Sequence, residues 1–110
     1  MDVPFEIRFH NLDASAPLEA LARERAAKLD RLYERLTSCR VAIEAPHRQH
    51  RKGNIFEVHI ELGVPGDTLA ISHEPHRVRE KYASPDAYDS LREAFDAAER
   101  QLLAFKDKLG

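Results

Sequence analysis

The period of the apolar positions switches between two and about 3.6 along the chain, and each switch marks an element. In VPFEIRFH, residues 3 to 10, Val3, Phe5, Ile7 and Phe9 alternate with Pro4, Glu6, Arg8 and His10, which predicts a half-buried strand. Asp13, Ser15 and Pro17 then mark a helix start. From Leu18 to Leu36 the apolar residues Leu18, Leu21, Leu29, Leu32 and Leu36, flanked by Ala22, Ala26 and Tyr33, fall on one face at helical spacing and predict the first helix. A second strand is expected around Cys39, Val41, Ile43 and Ala45, ended by Pro46. Phe56, Val58, Ile60 and Leu62 alternate with Glu57, His59 and Glu61 as a third, and the turn GVPGD, 63 to 67, leads to a fourth around Leu69 and Ile71.

SPDAYDSL opens the last helix, with Ser84 as N-cap, Pro85 in the first turn and Asp86 suited to the helix dipole. Tyr88, Leu91, Phe95, Ala98, Leu102, Phe105 and Leu109 recur at spacings of three and four, so one stripe faces one partner surface. Two helices can bury such stripes only on a sheet face, and the polar alternate residues of every strand leave the other face wet. The expected fold is a two-layer α+β domain in the order β-α-β-β-β-α, a four-stranded sheet with both helices on one face.

The 110 residues fit a single domain spanning 1–110, which should bury about 65% of the surface its unfolded chain exposes. The lone cysteine, Cys39, has no internal partner, which fits a reducing cytoplasm. No apolar run approaches the roughly 20 residues of a membrane span, and the N-terminus has no signal-peptide pattern. A cytoplasmic protein without a membrane partner is expected. The formal charge of −2 argues against RNA or DNA binding by the whole surface but leaves room for a local patch. Residues 1 to 81 balance 13 basic against 13 acidic side chains, and protonation of all six histidines would take the total from −2 to +4.

HRQHRKGN, 47 to 54, holds Arg48, Arg51 and Lys52 with no acid. If the last three strands form an antiparallel meander, HEPHRVREK, 73 to 81, leaves the sheet at the same end and brings Arg77, Arg79 and Lys81, against Glu74 and Glu80. Three readings stand. His47 with His50 and His73 with His76 form two His-x-x-His pairs, but adjacent cations oppose a divalent ion and the spacing is unspecific. A solvated hairpin tip is the plain alternative. A phosphate-bearing polyanion suits the forked arginine donors. On the first helix Lys28, Arg31 and Arg35 line one flank, with Glu19, Asp30 and Glu34 on the other. On the last, Asp89, Glu93 and Asp96 face outward and positive charge comes late, at Arg100, Lys106 and Lys108.

No catalytic constellation stands out: there is no Walker loop, no Gly-x-Ser-x-Gly and no dinucleotide fingerprint, so neither enzyme, cofactor nor small-molecule substrate is expected. Cys39 reads as a buried structural thiol and His59, alternating outward between Glu57 and Glu61, as a salt-linked surface histidine.

LEALARERAAKLDRLYERLTSCRVAIEAP, GNIFEVHIELGVPGDTLAISHEP and DAYDSLREAFDAAERQLLAFKDK, in that order, resemble the ribosome hibernation promoting factor family, also called ribosome-associated inhibitor A or the sigma-modulation proteins. The shared features are a Lys-Leu-x-Arg stretch late in the first helix, a strand pair closing on Gly-x-x-Leu, an Asp-x-Tyr helix start and an Arg-Gln-Leu within that helix. The resemblance implies a fold like that of double-stranded RNA-binding domains. It implies binding to the small ribosomal subunit and its rRNA in the channel for messenger and transfer RNA, and translational silencing in stress or stationary phase. A monomer is expected. By position the resemblance implies RNA contacts from Lys28, Arg31, Arg35, Arg100, Lys106 and Lys108; Arg48, Arg51, Lys52, Arg77, Arg79 and Lys81 join them by chemistry alone. The acidic last helix departs from the family pattern, and the chain resembles the short form without a second domain. Two other classes remain open: a stress-related protein-interaction domain of the same fold that does not bind ribosomes, using the acidic helix face or the wet sheet face, and a histidine-based metal or pH sensor at the sheet end.

Overall fold

The computed structural model describes residues 3–45, 56–73 and 87–109. Its elements are β1 (Phe5–His10), α1 (Ala16–Leu32), β2 (Ser38–Glu44), β3 (Glu57–Val64), β4 (Asp67–His73) and α2 (Ala87–Leu109). They form one four-stranded sheet in the order β1-β2-β3-β4. β2, β3 and β4 make the expected antiparallel meander, with Ile43 opposite Val58 and Ile60 opposite Ile71. β1 runs parallel to β2, Ile7 beside Val41, so α1 is the crossover that such a pair requires.

Period-two alternation decides which face is dry. Cys39, Val41 and Ile43 of β2, Val58, Ile60 and Leu62 of β3, and Ile71 of β4 are buried on the side covered by both helices. Glu6, Arg8, Arg40, Glu61 and Ser72 alternate to the open side. α2 lies over β3 and β4, while α1 packs over β1 and against α2. Each helix brings two fully buried alanines to this layer, Ala22 and Ala26 from α1, Ala94 and Ala98 from α2.

Local chemistry sets the ends of these elements. Ser15 caps α1, its Oγ accepting from the Leu18 amide at 3.2 Å. Pro65 and Gly66 turn β3 into β4, and Gly66 holds a φ of +79, as the third position of a Pro-Gly turn demands. Gly63 has a different reason: a side chain there would strike the hydroxyls of Thr37 and Ser38, where the chain enters β2.

Two expectations are corrected. The first helix does not reach Leu36; it stops at Leu32, with Tyr33 as an extended C-cap at φ −144, ψ 101. Leu36 is still buried, from a turn in which its amide donates to the Tyr33 carbonyl at 3.2 Å. Arg35 therefore lies beyond the helix rather than on its flank. The last stripe also ends early: Leu109 is 60% exposed, in the final turn of α2.

Candidate nucleic-acid interface

Four cross-contacts fix the relation of the helices. Arg25 meets Asp96 at 3.8 Å and Lys28 meets Glu99 at 3.1 Å. Lys106 Nζ donates to the Leu32 carbonyl at 3.1 Å, and the Tyr33 and Phe105 rings meet edge to face at 6.1 Å. Residue numbers rise together on both helices, so α1 and α2 run parallel and finish at the same end of the molecule. β1, β2 and β4 finish at the other end, with Glu44 opposite Glu57 and His73 opposite Val58.

This geometry sorts the expected RNA-binding residues. Among the described residues, the basic side chains without an ion pair or hydrogen bond are Arg31, Arg35, Arg100 and Lys108, all exposed. Arg31 lies in the last turn of α1 and Arg35 just beyond it, Lys108 lies in the last turn of α2, and Arg100 about two turns earlier on the same helix. They gather toward the shared C-terminal end, where Asp30, Glu34 and Asp107 interleave with them. A broad cleft of about 730 Å³ at this end places Arg31 between Asp30, Glu34 and the start of β1. Lys28 is held by Glu99, and Lys106 by the Leu32 carbonyl at the end of α1, whose negative dipole end it suits.

Arg48, Arg51, Lys52, Arg77, Arg79 and Lys81 lie outside the described residues, as do His47, His50 and His76. The strand ends that border both segments, Ala45 and Phe56 on one side and His73 on the other, do stand together, opposite the helix C-termini. His73, the described member of its pair, has its Nε2 2.8 Å from Glu93 Oε1, tying β4 to α2. Among the described residues no group of three or more His, Cys, Asp and Glu could hold a metal ion.

The acids of α2 do not form an idle outer face. Asp96 and Glu99 turn to α1, Glu93 to β4, and Asp89 to Arg92 at 3.1 Å. The sequence pattern marks Asp89, Glu93 and Asp96 as outward but cannot show their partners, because the register of two helices is set by tertiary packing. Arg25, whose Nε is buried without an acceptor, was missed for the same reason.

The open sheet face holds a shallow depression of about 260 Å³ over Val41 and Ala42. Its rim is already cross-linked. Arg8 pairs with Glu6 at 2.6 Å, Arg40 reaches Glu6 at 3.8 Å and Glu61 at 4.0 Å, and His59 lies 3.7 Å from Glu57 and 3.0 Å from the Ser72 hydroxyl. The expected surface role of His59 stands. Cys39 is fully buried beneath this sheet, and desolvation pushes its thiol up to about 12.

Residues 5–110 match the family model described as sigma 54 modulation protein / S30EA ribosomal protein. The chain belongs to this family. A ribosome hibernation promotion factor of Deinococcus radiodurans is 29% identical over 105 residues, covering 94% of this chain and 49% of that protein. The chain thus spans about half the length of that relative. Two solved structures share the fold. The N-terminal domain of Protein Y from Thermus thermophilus has a TM-score of 0.71 at 18% identity, covering 94% of this chain and 98% of its own. A ribosomal subunit interface protein from Coxiella burnetii has a TM-score of 0.73 at 15% identity, covering 96% and 99%. These likenesses extend over the whole β-α-β-β-β-α arrangement. No helix among the described residues is long and apolar enough to cross a membrane.

Proposed function

We propose that this chain is a ribosome hibernation factor: a cytoplasmic, monomeric protein whose residues 1–110 form one ribosome-binding domain, which occupies the messenger and transfer RNA channel of the small subunit and silences translation under stress. The observation that carries this reading is the family match over residues 5–110. The cations without partners supply its chemistry. Arg31, Arg35, Arg100 and Lys108 present donors to phosphate without first breaking an ion pair, and such contacts position a protein on shaped RNA without reading bases. Arg48, Arg51, Lys52, Arg77, Arg79 and Lys81 add contacts by their charge, and Lys28 and Lys106 belong to the same set once their present partners are exchanged.

Cosedimentation with ribosomes through sucrose gradients at two salt concentrations tests the reading. Migration with the small subunit is expected, weakening with a log-log salt slope of about −4 to −7 for six to eight neutralised phosphates. Absence from every ribosomal fraction at low salt would refute it.

A further inference from the structure

The seam between the helices has a property that neither helix shows alone. Arg25 and Lys28 stand one turn apart on α1, and Asp96 and Glu99 stand at the same spacing on α2, directly across. The pairs differ in quality. Lys28 to Glu99 is a close contact at 3.1 Å, whereas Arg25 Nη1 to Asp96 Oδ1 is 3.8 Å, too long for a hydrogen bond. Arg25 Nε has no acceptor among the described residues, so its guanidinium is neutralised but not satisfied there. The Lys28 and Asp96 side chains are close to half exposed, at 46% and 56%, and their partners Glu99 and Arg25 less so, at 29% and 27%. A partly exposed ion pair contributes modestly to stability, least where it is as long as Arg25 to Asp96, and can exchange for a stronger partner. A phosphate offers an arginine two oxygens in the forked geometry that Asp96 does not reach here.

We propose that Asp96 and Glu99 are internal counterions for Arg25 and Lys28, which RNA phosphate must displace, so that these two acids set the affinity of this chain for RNA. The inference rests on the RNA-binding reading above and deepens it: the seam is a phosphate site held closed by its own carboxylates. It adds Arg25 to the binding residues and gives the acidity of α2 a specific consequence. RNA gains a contact at the seam only by leaving two carboxylates unpaired beside its own charge.

The test is a cycle read by fluorescence anisotropy on a labelled 16-base-pair RNA duplex of arbitrary sequence, in about 0.1 M salt. D96N with E99Q should tighten binding about three- to tenfold, the scale of two surface ion pairs no longer in competition. D13N with E44Q, which removes the same charge from positions without ion pairs among the described residues, should gain less than about twofold. In a chain that also carries R25Q and K28Q, the gain from D96N with E99Q should vanish. Equal gains from the two acid pairs, no gain from D96N with E99Q, or a gain that survives R25Q and K28Q would each overturn the proposal. Thermal melts of every variant confirm folding. Ribosome cosedimentation of the same proteins separates the two ideas: coupling on the duplex with no ribosome binding by any of them sinks the ribosomal reading alone.

Discussion

Cys39 shows how one residue's burial becomes a measurable property. Its place in β2 puts the thiol on the dry face with no exposed surface, and ionisation there would strand a charge among apolar side chains. The pKa rises from 9.0 to about 12 for that reason. The unfolded chain releases this proton near 9 while the folded chain keeps it, so stability is whole below pH 9 and declines as pH climbs toward 12. One unit above 9 the difference is about 1.4 kcal/mol, or about 5 °C in Tm for a domain of this size. Tyrosines and lysines titrate in the same range, so the readout is a comparison: between pH 8.5 and 10 the wild-type melting temperature should fall about 5 °C further than that of Cys39→Ala. Parallel curves would mean that the thiol is not desolvated as its position requires.

Among the elements, the strands were legible in the sequence because a sheet with one dry face writes itself as strict alternation, and all four alternating runs are strands. The start of α1 was legible too, since Ser15 and Pro17 act locally. Its end was not. Leu29, Tyr33 and Leu36 continue the spacing of four and three into a turn whose side chains still point at the core, and no glycine or proline marks the stop. The contacts at the end of α1 are tertiary: the extended Tyr33 meets Phe105 edge to face, and Lys106 covers the Leu32 carbonyl. Lys106→Ala should therefore cost about 0.3–1 kcal/mol in urea unfolding, the usual worth of a cation at a helix C-terminus, while Arg100→Ala, two turns from the end of α2 and with no partner among the described residues, should cost nothing measurable. Equal effects would place Lys106 with the uncommitted cations instead. The same logic explains why the candidate interface was only partly legible. Residue type identified Arg31, Arg35, Arg100 and Lys108 as cations, but nothing in the chain distinguished them from Lys28 and Lys106, whose partners come from the other helix.

The whole molecule separates its charge by distance. α2, at 23 residues, extends about 35 Å, several Debye lengths at physiological ionic strength. Arg31, Arg35 and Lys108 stand at its far end, whereas the strand ends bordering 46–55 and 74–86 stand near its beginning. With a total charge of −2 there is no excess field to bring a polyanion to one face, so binding depends on local contacts at separated places. Contacts that share no partner over such a distance contribute independently. On the proposed ribosomal reading, R31A/R35A/K108A and R48A/R51A/K52A should each reduce the log-log salt slope of ribosome binding by about 2 to 3, and their combination by the sum. Pelleting assays across a salt series read all three slopes. An unchanged slope for the second triple would confine the RNA to the helix C-termini. A combined reduction well short of the sum would mean that both groups of cations meet the same few phosphates, which a bound RNA could arrange only by folding back along the helix pair.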